Sequence, residues 1–319
     1  MGTELEAELH SINFKAFDTS NAISAVAEPT LLEETVALCH HLESLLSRFV
    51  EGSDVWRINH SNGQPVEVSS HTAKVLACAE RVRKKTDGAF NVAIGLVSGL
   101  WKPVSKYPRP PALSKTNRLA KRLSRFRITV DELLVCIGPK SEIDLGGIAK
   151  GYICDEAAAF LRDRGVKNAL LNFGGNVVSI GQHPQKRSWK VGLQAPGSKR
   201  EQGIFATLEI EDVSVVTSGV YERAFVFDGK VYHHILDPRT CRPAESELVS
   251  VSVIGEDSML ADALATAMLV MGREESMKIA NQFSIKLVLQ QNDGSLYYSP
   301  GLALETVHAA NVNVALPIT

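Results

Sequence analysis

At 319 residues, with 45% hydrophobic side chains and a formal charge of −2, the chain is long enough to bury one large core or two modest ones, and this composition excludes a disordered polypeptide. The near-neutral balance supplies no global field for nucleic acid or an anionic surface, and no apolar run reaches the roughly 18 residues that span a bilayer. Five scattered cysteines, Cys39, Cys78, Cys136, Cys154 and Cys241, make no Cys-x-x-Cys pair and no zinc-type spacing with histidine. They read as free thiols of a reducing compartment, although an odd count leaves room for one disulfide.

The chain begins Met-Gly-Thr-Glu-Leu-Glu-Ala-Glu-Leu-His10, acidic and without the basic start and apolar core of an export signal. Glu6 stands where myristoylation of Gly2 expects Ser or Thr. A strand is expected at Ser11 to Phe17, then a helix from about Thr30 to Val50, with Leu31, Val36, Leu38, Leu42, Leu45 and Leu46 on a helical period. A second helix runs from about Ser70 to Thr86 and stops at the turn pair Asp87-Gly88. Lys102 to Pro111 holds Pro103, Pro108, Pro110 and Pro111, which remove backbone donors, so the segment reads as an exposed loop. The basic run Arg118 to Arg127, interleaved with Leu119, Leu123 and Phe126, reads as an amphipathic helix with a solvated face rather than a nucleic-acid site.

Beyond Cys136 the expected order is a loop-helix unit at Asp144 to Gly165, a strand at Asn168 to Phe173 and a glycine turn at Gly174-Gly175. Strands follow at Trp189 to Leu193, Phe205 to Ile210, Ala224 to Phe227, Val231 to Leu236 and Leu248 to Ile254. A helix around Asp262 and a strand near Ile285 to Leu289 close the chain. Strands in runs, with helices grouped between them, indicate an α+β fold of mixed sheets with flanking helices more than regular βαβ alternation. There is no internal repeat at 20 to 50 residues.

Chemistry concentrates in few places. The helix Met259 to Gly272 is apolar except for Asp262 and Thr266, four residues apart and so on one face. Burying an ionised Asp costs several kcal/mol unless a cation or donors compensate; a hard metal ion is one compensation, and capping of a neighbouring loop is the other. Asp144-Leu-Gly-Gly-Ile-Ala-Lys-Gly-Tyr152 puts glycines just before a helix that starts near Ile148. Such a loop lets backbone N–H groups approach a phosphate, or is simply a turn with Asp144 as cap. It matches neither the Walker loop nor Gly-x-Gly-x-x-Gly. Tyr232-His233-His234-Ile-Leu-Asp-Pro238-Arg239 ends a strand at a proline turn, so its two histidines face opposite sides and either is suited to proton transfer. Thr217-Ser-Gly219 and Asn172-Phe-Gly-Gly-Asn176 read as tight turns.

These pieces, in this order, resemble the ApbE family of flavin transferases. They are Ser47-Arg-Phe49 with Ser53-Asp-Val-Trp-Arg-Ile-Asn59, Thr86-Asp-Gly-Ala-Phe90, Asp144 to Tyr152, Asn172 to Asn176, Thr217-Ser-Gly219, His234-Ile-Leu-Asp-Pro-Arg-Thr240 and Ala261-Asp-Ala-Leu-Ala-Thr266. The resemblance covers nearly the whole chain and implies an ApbE-like, T-fold-related domain over 1–319. A division into subdomains of about 1–135 and 136–319, meeting at the FAD site, stays open.

The implied activity is that of a Mg²⁺-dependent FAD:protein FMN transferase. Such an enzyme cleaves the FAD pyrophosphate and attaches FMN through a phosphoester to a Thr or Ser of an acceptor flavoprotein, releasing AMP. Metal ligands carried over by position are Asp262, Thr266 and the carbonyl of Ala149, with Ala265 adjacent, an all-oxygen set suited to Mg²⁺. Flavin and adenine contacts carry over to Phe17, Phe49, Ala89, Phe90, Asn91, Gly146, Tyr152 and Leu236. His234 is expected to activate or orient the acceptor hydroxyl, and Asp262 is the second catalytic position. The partners implied are FAD and the acceptor, with neither nucleic acid nor a membrane span. The chain departs from the family's usual wording at Phe17-Asp18-Thr19, Asn91-Val92, Asn176 and Cys241, three of them near the expected nucleotide pocket. Most relatives are exported, so the acidic start predicts a cytoplasmic member, or a periplasmic one whose leader was removed. Two alternatives remain at this stage: an FAD pyrophosphatase, with water replacing the acceptor, and a flavin carrier without turnover, which would lack Asp262, Thr266 or His234.

Overall fold

The computed structural model describes residues 8–101, 109–185, 188–195, 203–221, 224–307 and 314–315. The chain opens with a hairpin, β1 (His10–Ala16) and β2 (Thr19–Ala25), paired in full antiparallel register. Its two-residue turn is Phe17-Asp18, with φ of 57° and 55°. Positive φ at both positions is what a type I′ hairpin turn requires, although glycine or asparagine normally supplies it. The strand expected through Phe17 therefore ends one residue earlier, and β2 escaped notice because Phe-Asp carries no turn signal.

The helix α1 (Pro29–Leu46) buries Leu32, Thr35, Cys39, Leu42 and Leu46, one residue out of phase with much of the expected apolar set; Leu31, Val36, Leu38 and Leu45 are only partly buried. Next come α2 (Asp54–His60), β3 (Val66–Glu67), α3 (Ser70–Lys85), α4 (Gly95–Trp101) and α5 (Leu113–Leu123). In α3 the expected helix is found, stopped at Asp87 and Gly88, both at positive φ. The basic helix α5 exposes Lys115, Arg118 and Lys121 and buries Leu123. Of the proline-rich stretch, 102–108 lie outside the described residues.

The remaining elements are β4 (Ile128–Asp131), β5 (Leu134–Ile137), α6 (Ala149–Asp163), β6 (Ala169–Phe173), β7 (Asn176–Ile180), β8 (Trp189–Gln194), β9 (Ile204–Ile210), β10 (Ser214–Gly219), β11 (Ala224–Phe227), β12 (Lys230–His233), β13 (Leu236–Asp237), β14 (Arg242–Pro243), β15 (Leu248–Gly255), α7 (Ser258–Met271), α8 (Arg273–Phe283), β16 (Lys286–Gln291), β17 (Leu296–Tyr298), β18 (Leu304–Thr306) and β19 (Val314–Ala315). Two expectations are corrected. Thr217-Ser-Gly219 is not a turn: it completes β10, where Thr217, Ser218 and Gly219 pair with Ser252, Val251 and Ser250. The strand expected from Val231 to Leu236 is two strands, β12 and β13, separated at His234.

The architecture is α+β. A nine-stranded sheet runs β1-β2-β6-β7-β10-β15-β16-β17-β19, antiparallel except for the β17 and β19 pair. One face packs under α1, α6 and α7 through residues such as Val178, Val216, Val251 and Leu289. The other packs on the small sheet β18-β9-β8, where Val177, Val215, Ile254 and Val288 meet Trp189, Leu193 and Leu208. Both faces being covered, β7 is buried at every position, which is the pattern of a continuous apolar run rather than of alternation. α7 lies against α6, β10 and β15 and is buried on nearly all sides, which accounts for its apolar sequence and isolates Asp262 within it. None of the described helices is long and apolar enough to cross a membrane.

Candidate active site

The glycine-rich stretch before α6 is clamped from several sides. Asn59, near the end of α2, brackets Ile143: its Nδ2 donates to the Ile143 carbonyl at 2.9 Å and its Oδ1 accepts the Ile143 N–H at 2.7 Å. The Asp144 N–H donates to the Val92 carbonyl at 2.8 Å. Its carboxylate divides its acceptors, Oδ1 taking the Gly146 N–H at 2.9 Å and Oδ2 taking Ser98 Oγ at 2.9 Å and Arg48 Nη1 at 3.3 Å. Arg48 also donates to the Gly95 carbonyl and to Glu142, each at 2.9 Å. Asp144 therefore closes the glycine turn on itself rather than capping α6, and charge-assisted donors hold its carboxylate in place.

α6 starts without a cap of its own, since Ile148 occupies the N-cap position. The acceptor comes from α7. Asp262 Oδ2 accepts the Gly151 N–H at 3.0 Å, and Oδ1 lies 3.6 Å from Lys150 Nζ. Asp262 is only 2% exposed, and its charge is compensated by a helix N-terminus, a hydrogen bond and an ammonium. One helical turn on, Thr266 faces the glycines: a Cβ on Gly147 would stand 3.3 Å from both Thr266 Oγ1 and Phe90 Cε2. A Cβ on Gly151 would drive into the Ser258 carbonyl oxygen and come 2.8 Å from Asp262 Cβ. Glycine at 147 and 151 is what lets loop and helix close on this face of α7.

Capping and metal binding are compatible here, because Gly151 occupies only one carboxylate oxygen. Among the described residues no group of three or more His, Cys, Asp or Glu gathers as a metal cluster. The local donors are one carboxylate, one hydroxyl and the backbone of a glycine loop. That set fits Mg²⁺, which keeps several waters and takes few carboxylates beside substrate phosphates. Ala149 is the first residue of α6; its carbonyl enters the helix ladder and keeps a second lone pair that can face a cation. Ala265 is fully buried in mid-helix, where its carbonyl belongs to the helix ladder.

Of the positions expected to touch flavin or adenine, Ala89, Phe90 and Asn91 are buried beside the loop. Phe90 N–H donates to Thr86 Oγ1 at 3.2 Å, and Asn91 Oδ1 accepts the Ala93 N–H at 2.9 Å. Asn91 therefore caps the short turn Val92–Ile94 as an aspartate would. Gly146 is exposed. Phe49 is 67% exposed, with the Arg48 guanidinium 5.4 Å from its ring centre. Tyr152 is buried, its hydroxyl 2.6 Å from His71 Nδ1 and the Lys74 ammonium 5.2 Å from its ring centre. Burial, then the neighbouring Glu156, pushes the Tyr152 phenol well up, so it stays protonated. Phe17 is joined to other partners: its N–H donates to Glu43 at 2.7 Å and its ring lies 6.5 Å from that of Phe173. A bulky residue at positive φ is uncommon and concentrates at functional positions.

His234 is exposed between β12 and β13. His233, its neighbour, is partly buried with Nε2 3.2 Å from the Ala244 carbonyl. Burial lowers the His233 pKa against its backbone hydrogen bonds, so it stays neutral at pH 7. Leu236 is buried and pairs with Pro243 across the β13–β14 hairpin. Asp237 grips Arg239 through Nε at 2.9 Å and Nη2 at 3.0 Å, and that hydrogen bond raises the Arg239 pKa. Cys241, fully buried at φ 56°, occupies a left-handed position that glycine would fill without strain. Its carbonyl accepts Trp101 Nε1 at 3.0 Å. Asn176 is buried, with Nδ2 lacking any partner among the described residues.

Sequence reasoning missed Arg48, Asn59, Ser98 and Lys150 as site residues. Arg48 and Asn59 sit inside the recognised motifs, which was the only signal they offered, since their partners are 96 and 84 residues away.

A glycine loop, a helix N-terminus, a lysine and a buried carboxylate-hydroxyl pair meet in an α+β frame, a combination whose chemistry suits an anionic ligand. The model of the ApbE family matches residues 1–289, and the chain belongs to this family. The FAD:protein FMN transferase of Klebsiella pneumoniae is 38% identical over 261 residues, covering 80% of each chain. That of Vibrio cholerae is 30% identical over 314 residues, covering 93% of this chain and 92% of the relative. Among solved structures, the ApbE protein of Thermotoga maritima is similar with a TM-score of 0.82 at 30% identity, over 92% of this chain and 97% of that one. The flavin transferase ApbE of Vibrio cholerae is similar with a TM-score of 0.78 at 27% identity, over 92% and 98%.

Proposed function

We propose that this chain is an FAD:protein FMN transferase, acting as one ApbE-like domain over 1–319. It takes FAD and an acceptor flavoprotein, joins FMN through a phosphoester to a Thr or Ser of the acceptor, and releases AMP. The observation that carries this is the closure of the glycine loop on α7, with Asp262 bonded to Gly151 at 3.0 Å and Thr266 facing Gly147.

In the step itself the acceptor hydroxyl oxygen forms a bond to the FMN phosphorus, and the bond from that phosphorus to the bridging oxygen breaks. AMP leaves with that electron pair. The loop amides and the Lys150 ammonium meet the phosphate charge. Asp262, Thr266 and the Ala149 carbonyl would hold Mg²⁺, which when bound screens the charge of the pyrophosphate oxygens. Phe90, Asn91 and Tyr152 form the wall beside the flavin, with Leu236 and Phe17 as further contacts. His234, exposed where an acceptor can reach it, takes or orients the hydroxyl proton. Arg48 and Ser98 hold Asp144, and Asp144 fixes Gly146.

The test is incubation with FAD, Mg²⁺ and a candidate acceptor, followed by chromatography of the nucleotides. AMP should appear in step with flavin that stays on the acceptor through denaturation. Free FMN accumulating with AMP would mean hydrolysis and overturn the proposal. His234→Ala should abolish transfer while FAD still binds, as read by flavin fluorescence; full transfer by that variant would remove its role.

A further inference from the structure

α6 and α7 cap each other. While Asp262 of α7 accepts the Gly151 N–H in the first turn of α6, Asp155 one turn along α6 accepts the Ser258 N–H at 3.0 Å and the Met259 N–H at 2.8 Å, the first two amides of α7. Each carboxylate sits four residues from the amide end that the other contacts: Gly151 and Asp155 on α6, Ser258 and Asp262 on α7. Residues four apart share a helical face, so the two exchanges lie along one seam. The seam is closed at Gly151, where even a methyl group would strike Ser258 and Asp262. α7 also has a local cap, Asp257, whose Oδ1 accepts the Leu260 N–H at 2.7 Å. Asp155 is therefore not needed merely to start the helix. What it adds is a fixed relation between α7 and the helix that follows the glycine loop.

We propose that Asp155 is a positioning residue for the reaction: by holding the first turn of α7 against α6, it sets where the Asp262 carboxylate and Thr266 hydroxyl stand relative to the loop. The proposal rests on Asp262 and Thr266 being metal ligands, and it extends that ligand set to a group that touches neither metal nor substrate. Groups that orient metal ligands typically change metal affinity by about 10-fold to 100-fold when removed.

The experiment is calorimetric titration of the intact protein with Mg²⁺ alone, well below its unfolding temperature, for wild type, Asp155→Ala, Asp257→Ala and Asp262→Ala. Transfer activity against Mg²⁺ concentration is recorded in parallel. Asp262→Ala should lose Mg²⁺ binding. Asp155→Ala should weaken it by about 10-fold and raise the Mg²⁺ needed for half-maximal transfer by a similar factor, with smaller loss at saturating metal. Asp257→Ala removes a cap from the same helix end and leaves both hydrogen bonds of Asp155 to α7 in place, and should bind Mg²⁺ as wild type does. Wild-type affinity in Asp155→Ala, or equal weakening in Asp155→Ala and Asp257→Ala, would overturn the positioning role. Wild-type affinity in Asp262→Ala would instead overturn the metal assignment beneath it. If Asp155→Ala does not fold, Asp155→Asn keeps one acceptor oxygen and should show an intermediate affinity; wild-type affinity there, with Asp262→Ala silent, would again count against the proposal.

Discussion

Charge placement at single residues decides most of what this site can do. Asp262 is buried among apolar neighbours and survives there because Gly151 and Lys150 answer it. Arg48 does the same for Asp144 from outside the loop. Replacing Arg48 with Met leaves Asp144 and Glu142 without their guanidinium, and hydrogen bonds to charged groups contribute about 1.5 to 3 kcal/mol each. A loss of about 2 to 3 kcal/mol in denaturant unfolding is expected, with transfer reduced beyond what the unfolded fraction explains; unchanged stability would show that the network is dispensable. Asp155 gives a pH prediction. Burial pushes its carboxyl up to about 7, against the lowering effect of the Met259 and Ser258 amides, with Asp257 raising it and Lys74 lowering it. A folded value above the unfolded one means that the group's contribution to stability is full below about pH 4 and lost as pH rises to about 7. Asp155→Asn removes that titration, so wild type should lose stability relative to the variant across this window, on the order of a few kcal/mol. A constant difference across the window would contradict it.

Helices and strands were legible where period or a long apolar run marked them, as in β15, β16 and α7, and strands beside turns were hidden. α3 and α6 announce themselves by period and by the turns that stop them. β7 and β10 are short, lack alternation because both faces are covered, and adjoin glycines that read as turns, so β10 read as an apolar run plus a turn. β2 was missed because its hairpin turn is built from Phe17 and Asp18 at positive φ instead of the usual glycine or asparagine. The crossing of α6 and α7 yields a paired prediction. Gly151→Ala forces backbone and Asp262 apart and should cost about 1 to 3 kcal/mol or more, read as a fall in Tm. Gly147→Ala meets only side-chain atoms at 3.3 Å, so it should fold close to wild type yet lose transfer as Thr266 and Phe90 are displaced. Equal Tm in the two variants would show that the seam at Gly151 is looser than the geometry implies.

Taken as a whole, the molecule is a covered nine-stranded sheet that carries α6 and α7 on one face and brings the glycine loop and Phe90 against α7. The polar interruption at Asp262 and Thr266 was visible in the sequence as an anomaly in an apolar helix, and the order of the short motifs supplied the family. What holds those motifs was not visible: Asp155 and Ser258 are 103 residues apart and Arg48 and Asp144 are 96 apart, and no local pattern records a contact made only by the fold. The most direct measurement is tandem mass spectrometry of an acceptor flavoprotein after incubation with this chain, FAD and Mg²⁺. The predicted result is a gain of one FMN phosphoester on a single Thr or Ser, absent with Asp262→Ala. An acceptor recovered at its unmodified mass while FAD is consumed would contradict the account.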